Sequence, residues 1–242
     1  MCGRYTHLYK WKQLHRLMSL LSPEVQPPMR YNVAPTQSAP VIVRDDDTGG
    51  AVLRTMQWGL IPSWAKEKAI GNSLINARAE TIDTKPAFRD AFKRRRCVVP
   101  ISGFYEWRAI EGQKGKQPLY ITPTDEEPWF LAGLWESWTS PEGETIDSYT
   151  IITTAANEMV SKFHDRMPVI LDAAHAREWI GTEPGKPDLN ADQLKALLVP
   201  YPAELMLARP VSRAVNSPKV DRPECIQRAD SQDPGGLFGS SS

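Results

Sequence analysis

The fold is decided by a block of the chain that opens with CVVPISGFYEWR, residues 97–108. β-Branched and aromatic residues dominate this stretch, and similar runs recur further along with glycine-containing turns between them, which is typical of successive strands. The strands predicted in the block are Cys97–Ile101, Phe104–Arg108, Pro118–Ile121, Trp129–Trp138 and Ser148–Thr154.

Other elements lie on both sides of this block. Residues 41–43 and 51–53 flank a turn rich in Asp and Gly, which predicts a hairpin, and a last strand is expected at 205–207. Periodic apolar residues predict helices over 8–21, 86–94, 157–163, 173–179 and 190–198. Because strands and helices mix without a βαβ rhythm, we expect an α+β fold with a largely antiparallel, barrel-like sheet and peripheral helices. One domain is predicted over residues 1–225, followed by a flexible tail over 226–242.

Composition narrows the class of protein. Among 242 residues, 29 are Lys or Arg and 29 are Asp or Glu, so any nucleic-acid site must come from local clustering of charge. The three cysteines, Cys2, Cys97 and Cys225, are too few and too scattered for a disulfide framework or a zinc cluster, which indicates a reducing cytoplasm. No apolar run reaches membrane-spanning length. We expect no metal and no organic cofactor.

Cys2 stands where removal of the initiator Met1 would make it the first residue. The processed chain would then carry a free α-amine and a thiol on adjacent carbons. Their reference pKa values, about 7.7–8.0 and about 8.5, leave both groups reactive at neutral pH. An aldehyde condenses with such an amine to an imine, and the neighbouring sulfur closes a thiazolidine ring. The alternative is that Cys2 is an accident of an ordinary start.

Two further clusters carry carboxylates. Asn76, Arg78 and Glu80 alternate at period two, so an extended backbone would place them on one face; the alternative is a solvated strand face. Glu106 is bracketed by large aromatic residues. Burial there would raise its pKa and suit it to donate and accept protons, whereas an exposed Glu on a half-buried strand is the simpler reading.

The remaining clusters contain a histidine and a hydroxyl. His164 is followed directly by an acidic residue, Asp165, and a basic residue, Arg166, although a lone His is more often structural. Ser212 and Arg213 bring a hydroxyl and a guanidinium together in a segment predicted to be a strand. The basic run 93–96 is interpreted as a solvated face.

Taken together, seven motifs in this order resemble the SRAP family, the SOS-response-associated peptidases or abasic-site-processing proteins. The resemblance extends from Cys2 to about Lys219, nearly the whole chain. The motifs are Cys2–Tyr5, Tyr31–Pro35, Trp58–Trp64, Ile75–Glu80, Gly103–Trp107, His164–Pro168 and Val211–Val215.

The resemblance implies a protein that binds single-stranded DNA containing an abasic site, and ssDNA–dsDNA junctions in some relatives. Its N-terminal cysteine would crosslink to the ring-opened aldehyde as a thiazolidine and shield the lesion. By this resemblance Cys2 is the nucleophile, Asn76 orients it, Glu106 shuttles protons and His164 assists ring opening. A monomer in the cytoplasm, associated with the nucleoid when bound to damaged DNA, is expected.

The resemblance also implies a set of DNA contacts. Phosphate contacts fall on Arg4, Arg78 and Arg166, and a base-stacking wedge falls on Trp64 with Pro35. The remaining expected contacts are Asn32, Ser212 and Arg213.

The sequence departs from some relatives at two positions. Ala65 follows Trp64 where they carry a second Trp, so the wedge could be rebuilt from Leu60 or Ile61. Arg209 stands where they carry His, and no catalytic role is assigned to it.

Two other functions compete with the crosslinking hypothesis. One is a thiol peptidase or autopeptidase with Cys2 as nucleophile, which requires release of an acyl-enzyme by water. The other is a reversible single-strand-binding module without covalent chemistry.

Overall fold

A computed structural model describes residues 2–112 and 115–229 of the chain. Four α-helices are present in these ranges: α1 (Trp11–Met18), α2 (Arg89–Arg94), α3 (Ala173–Ile180) and α4 (Ala191–Ala196). The strands are β1 (Tyr5–His7), β2 (Arg30–Val33), β3 (Ser38–Arg44), β4 (Ala51–Trp58), β5 (Asn76–Arg78), β6 (Arg96–Ile101), β7 (Gly103–Ala109), β8 (Lys116–Pro123), β9 (Trp129–Thr139), β10 (Thr145–Ala155), β11 (Arg166–Pro168), β12 (Ile170–Leu171) and β13 (Met206–Pro210).

The larger of the two sheets closes on itself. Its strands run in the order β10-β4-β3-β6-β9, and β9 pairs again with β10 to complete a barrel. Most of these pairings are antiparallel, while β10 runs parallel to both β4 and β5. β11 flanks β10 and β12 flanks β9. The predicted α+β fold with a barrel-like, largely antiparallel sheet is confirmed.

The second sheet carries the N-terminal strand. Its order is β13-β8-β7-β1-β2, so β1 lies between β7 and β2. Tyr5 pairs with Phe104 and Thr6 with Gly103. Continued towards the start of the chain, this register places Gly3 opposite Glu106, which brings the cysteine motif beside the aromatic-flanked carboxylate.

Local sequence accounts for the helix ends. In α1, Trp11, Leu14 and Met18 are buried at helical spacing. The Asp172 side chain caps α3 by accepting the His175 N–H, and Asn190 caps α4 through a capping box with Gln193. Trp179 of α3 is fully buried, and its indole N–H donates to the Cys97 carbonyl at 3.0 Å, which fixes the helix against the barrel.

The predicted elements differ from the observed ones mainly at their ends. The hairpin is confirmed as β3 and β4, and the last strand as β13. The expected helix over 157–163 is wrong: only Val160–Lys162 forms a turn of 3-10 helix. The Asn157 carboxamide oxygen accepts the N–H groups of Met159 and Val160, and this side-chain turn competes with a regular helix.

The segment after β13 is also not the predicted strand. Val211 forms an isolated bridge with Arg228, and Arg213–Asn216 is a 3-10 turn. Residues 226–229, which the sequence assigned to the tail, are therefore attached to the domain. The rest of the predicted tail, residues 230–242, lies outside the described residues. No helix within 2–112 and 115–229 is long and apolar enough to cross a membrane.

A glycine contact shapes the Trp58–Trp64 motif, which is neither helix nor regular strand. Gly59 has φ +119°, and a Cβ at this position would lie 2.6 Å from the Gly71 carbonyl oxygen. Only glycine fits such a conformation and such a close approach. Leu60 and Ile61 then turn inwards and are fully buried, so neither can rebuild the wedge.

Candidate active site at the start of strand β1

Cys2 lies three residues before the start of β1 and is completely buried. The Asn76 carboxamide of β5 donates to the Cys2 carbonyl oxygen at 2.9 Å, which ties the start of the chain to the barrel. Two residues further on, the Arg4 carbonyl accepts the Tyr105 N–H at 3.0 Å. The backbone of the cysteine motif is therefore held from both sides, by a side chain of the barrel and by strand β7.

The Cys2 thiol is in an environment that keeps it protonated. Burial raises its pKa far above the ordinary value, and the nearby Glu106 carboxylate raises it further, while the Arg4 backbone N–H acts in the opposite direction. A thiol held in this way has very little thiolate at neutral pH.

Glu106 is the buried acid of the site. Only 4% of this residue is exposed, and burial raises the pKa of Glu106 to about 7. The Trp107 backbone N–H and the Lys116 charge moderate that rise. A carboxyl group that titrates near neutral pH is present in both forms there, so it can accept a proton in one step and return it in the next.

His164 lies in the loop that leads into β11. Its Nδ1 accepts the Arg166 backbone N–H at 3.0 Å. The same nitrogen is 3.0 Å from an oxygen of Asp165, but that carboxylate is 87% exposed and is screened by solvent. Burial lowers the pKa of His164, so the ring is neutral at physiological pH. Because Nδ1 supplies a lone pair, the ring proton lies on Nε2, where it can be donated.

Strand β10 brings the separate motifs together. Thr153 of β10 pairs with Arg78 of β5 on one side, and Ala155 pairs with Arg166 of β11 on the other. The Asn76 motif and the His164 motif therefore flank one strand, although about ninety residues separate them in the sequence.

Arg4 and Asn32 are held by hydrogen bonds to each other and to the segment after β13. The Arg4 guanidinium donates to the Asn32 carboxamide oxygen at 2.9 Å and to the Val215 carbonyl at 2.8 Å. The Asn32 NH₂ group lies within hydrogen-bond distance of the carbonyls of Val215, Ser217 and Val220. Asn32 is fully buried, so in this structure it holds residues 215–220 against β1 and β2 and has no open surface for a ligand.

The other predicted contacts reach the surface to different degrees. Trp64 is 59% exposed, and its turn is held by the Trp138 indole N–H, which donates to the Ala65 carbonyl at 2.7 Å. Pro35 is half-buried. Arg78 and Arg213 are exposed and form no ion pair with any residue that the structure describes. Ser212 accepts the Ala214 N–H, so its hydroxyl caps the 3-10 turn that carries Arg213.

Arg166 is mostly enclosed by protein. Its guanidinium makes a two-pronged ion pair with Glu80, at 2.5 and 3.0 Å, and also donates to the Thr153 carbonyl at 2.6 Å. Arg209 is equally engaged: it donates to the Ile226 carbonyl and lies over the Tyr120 ring at 5.2 Å.

The family model described as SOS response associated peptidase matches residues 1–218, nearly all of the chain that the structure describes. The chain belongs to the SRAP family.

Relatives within the SRAP family cover most of the chain. The abasic site processing protein YoqW of Bacillus subtilis (strain 168) is 41% identical over 229 residues, which is 94% of this chain and 99% of that protein. The abasic site processing protein HMCES of Gallus gallus is 37% identical over 226 residues, 81% of this chain and 65% of that protein. A crystal structure of a protein from Bacteroides thetaiotaomicron matches with a TM-score of 0.72 at 31% identity, covering 82% of this chain and 84% of the other.

Two features of this SRAP site are not assigned from the sequence. One is the hydroxyl pair of Tyr5 and Tyr149, 2.6 Å apart and fully buried in the same apolar cluster as Cys2. The other is the pairing of Glu80 with Arg166. On an extended backbone, the alternation of Asn76, Arg78 and Glu80 predicts one shared face, but β5 ends at Arg78 and Glu80 lies in the 3-10 turn Ala79–Thr81. The partner of Glu80 lies 86 residues away.

Proposed function

We propose that this SRAP protein processes abasic sites in single-stranded DNA by forming a covalent thiazolidine with Cys2 after Met1 is removed. The observation that carries the proposal is the placement of Cys2 beside Glu106, a buried carboxyl group with its pKa raised to about 7. The names of the relatives, abasic site processing proteins, support the same substrate. The product would shield the lesion during the DNA damage response.

The proposed reaction uses the amine and the thiol of Cys2 and the carboxyl group of Glu106. The Cys2 amine adds to the aldehyde carbon of the ring-opened sugar, and Glu106 relays one amine proton to the carbonyl oxygen, which gives a carbinolamine. Protonated Glu106 then donates a proton to the carbinolamine hydroxyl, which leaves as water, and the second nitrogen proton returns to Glu106 as the imine forms. The Cys2 sulfur adds to the imine carbon, and the thiol proton passes to the ring nitrogen. One aldehyde and one aminothiol give one thiazolidine and one water.

The other site residues have supporting roles in this proposal. Asn76 holds the Cys2 carbonyl and so fixes the direction of the amine and thiol. His164, with its proton on Nε2, would donate to the sugar ring oxygen as the ring opens. Exposed Arg78 and Arg213 would contact phosphates, and Trp64 would stack on a neighbouring base. Such contacts do not read sequence, which suits a lesion that has no base. The protein would act as a monomer.

The peptidase alternative follows from the family description, but the environment of the thiol disfavours it. A hydrolytic cysteine needs a lowered thiol pKa or an adjacent base that keeps it deprotonated. Burial and the Glu106 charge raise the pKa of Cys2 instead. The first step of thiazolidine formation uses the amine, and the sulfur then adds to an already activated imine, so a protonated thiol is compatible with it.

Intact mass spectrometry with an abasic single-stranded oligonucleotide tests the proposal. The purified protein should lack Met1 and gain the mass of the oligonucleotide minus one water. Cys2→Ser keeps the amine, so it should give only an imine that hydrolyses, and Cys2→Ala should give no stable ring. A chain that retains Met1 and still captures the oligonucleotide irreversibly would overturn the mechanism. Repeated cleavage of a generic peptide would favour the peptidase, and DNA binding unchanged in Cys2→Ala without any wild-type adduct would favour the binding module.

A further inference from the structure

Glu80 belongs to the motif around Asn76, yet the proposed chemistry gives it no role. It lies in the 3-10 turn Ala79–Thr81 that follows β5, and its side chain is 51% exposed. The hydrogen bonds donated by Arg166 lower the pKa of Glu80, so this carboxylate is ionised throughout the neutral range.

The partner of Glu80 is far less exposed. The Arg166 side chain is only 13% exposed. Its contacts with the described residues go to Glu80 and to the carbonyl and hydroxyl of Thr153. Of these two partners of Arg166, only Glu80 faces solvent, because Thr153 is buried within β10. An incoming ligand can therefore replace the carboxylate while the Thr153 contacts keep the guanidinium in place.

Arg166 and Glu80 form a two-pronged guanidinium–carboxylate pair, an arrangement that a phosphodiester can also take up. Both terminal nitrogens meet one carboxylate oxygen each, at 2.5 and 3.0 Å. Two oxygens of a phosphodiester match the same guanidinium fork. Arg166 also lies next to the catalytic groups, since its backbone N–H binds His164. Burying the Arg166 guanidinium without a counter-charge would destabilise the folded protein, so an anion has to pair with it whenever DNA is absent.

We propose that Glu80 is a displaceable counter-ion, which neutralises and positions Arg166 in the free protein and gives way to a backbone phosphate when a single strand binds. This inference rests on the proposed function. Glu80 is thus a positioning residue that acts through Arg166. It competes with DNA for the guanidinium, and its removal should strengthen binding.

The test measures reversible binding of an undamaged single-stranded oligonucleotide by fluorescence anisotropy, in a Cys2→Ala background that cannot crosslink. Glu80→Gln keeps the shape of the side chain and removes its charge. Glu127→Gln is the control, because Glu127 forms an exposed ion pair in which one guanidinium nitrogen of Arg16 donates to both carboxylate oxygens, at 2.7 and 2.8 Å, and its replacement changes the net charge equally.

Glu80→Gln should bind roughly two- to fivefold more tightly than the background, as expected from the strength of a partly exposed ion pair. Glu127→Gln should change the affinity no more than its charge alone dictates. In an Arg166→Gln background the gain from Glu80→Gln should vanish, since the guanidinium that it liberates is gone. A merely structural role for Glu80 would not produce this dependence on Arg166.

Each other result decides against the inference. Equal gains in Glu80→Gln and Glu127→Gln would mean a general charge effect. Weaker binding by Glu80→Gln would mean that the carboxylate holds Arg166 in its binding pose and is not displaced. A gain that persists without Arg166 would place the effect elsewhere. If the Cys2→Ala protein did not bind single strands at all, the proposed function and this inference would both be overturned. If it bound them with the same affinity with and without Glu80→Gln, only this inference would be overturned.

Discussion

At the scale of single residues, Glu106 combines a catalytic use with a cost in stability. Its folded-state pKa of about 7 is above the reference value of 4.5, so between these two pH values the folded protein binds more protons than the unfolded chain. Stability therefore falls as pH rises through this window. Above it the penalty is constant, at up to about 3 kcal/mol from the size of the shift.

Glu106→Gln should therefore be more stable than the wild type at pH 8, and the difference should shrink towards zero near pH 4.5. Urea denaturation at both pH values measures this. Glu136→Gln is the contrasting control: Glu136 is buried too, but it accepts from Arg95 at 2.6 Å, and its neutralisation leaves that guanidinium without its partner. We expect Glu136→Gln to be destabilised at pH 8. If both variants changed the free energy of unfolding in the same direction, this account of Glu106 would be contradicted.

The same substitution should slow thiazolidine formation by roughly 10²–10⁴-fold, the usual contribution of a positioned general acid–base group. In the wild type, the rate should also change with pH around 7, because Glu106 changes its protonation state there. That inflection should be absent from Glu106→Gln. Single-turnover crosslinking across a pH series measures both effects, and an unchanged inflection in the variant would assign it to another group.

At the scale of elements, Asn32 joins two strands of one sheet to a segment about 185 residues away. Its amide lies against three carbonyls of residues 215–220, and Asp221 accepts the N–H groups of Tyr31 and Asn32 in turn. Asn32→Leu would leave these buried carbonyls and the Arg4 guanidinium without their partner. We expect a loss of about 2–4 kcal/mol in the free energy of unfolding.

Urea denaturation of Asn32→Leu measures that loss. The control is Asn190→Ala, which removes an exposed helix cap of α4 and should cost only about 1 kcal/mol. Crosslinking should also slow in Asn32→Leu, because Arg4 lies two residues from Cys2 and loses its anchor. Equal stability of the two variants would mean that the link between β2 and the C-terminal segment carries little energy.

Elements were predictable where local pattern decides them. The β3–β4 hairpin follows from two apolar runs around a turn, and α3 follows from the apolar spacing within residues 173–179. The expected helix at 157–163 failed because one side chain, that of Asn157, redirects the backbone. Hydropathy does not record such a competition between a side chain and the helix.

At the scale of the whole molecule, the site is a set of long-range pairings. The sequence indicated Cys2, Glu106 and His164 from their neighbours and from the family resemblance. It could not indicate that Arg166 binds Glu80, or that Arg4 is occupied by Asn32 and Val215. From the sequence alone, any arginine in these motifs can be interpreted as a phosphate contact. Only the fold shows which guanidinium groups already have partners.

This distinction predicts how DNA binding depends on salt. The chain has zero formal net charge, so affinity must come from a few arginines near the site. Arg78 and Arg213 are exposed and form no ion pair with any described residue, whereas Lys93 and Arg94 lie in the basic run of α2. Arg78→Ala and Arg213→Ala should each weaken single-strand binding and reduce the slope of log K against log salt by about 0.7.

The control for this series is Arg94→Ala, which removes the same charge from α2 and should leave the slope unchanged. Anisotropy titrations from low to moderate salt, in the Cys2→Ala background, give the slopes. A uniform reduction in all three variants would mean that binding responds to total charge. A reduction confined to Arg78 and Arg213 would mean that a neutral molecule binds a polyanion through two or three guanidinium groups, because only phosphates near those groups release their counterions on binding.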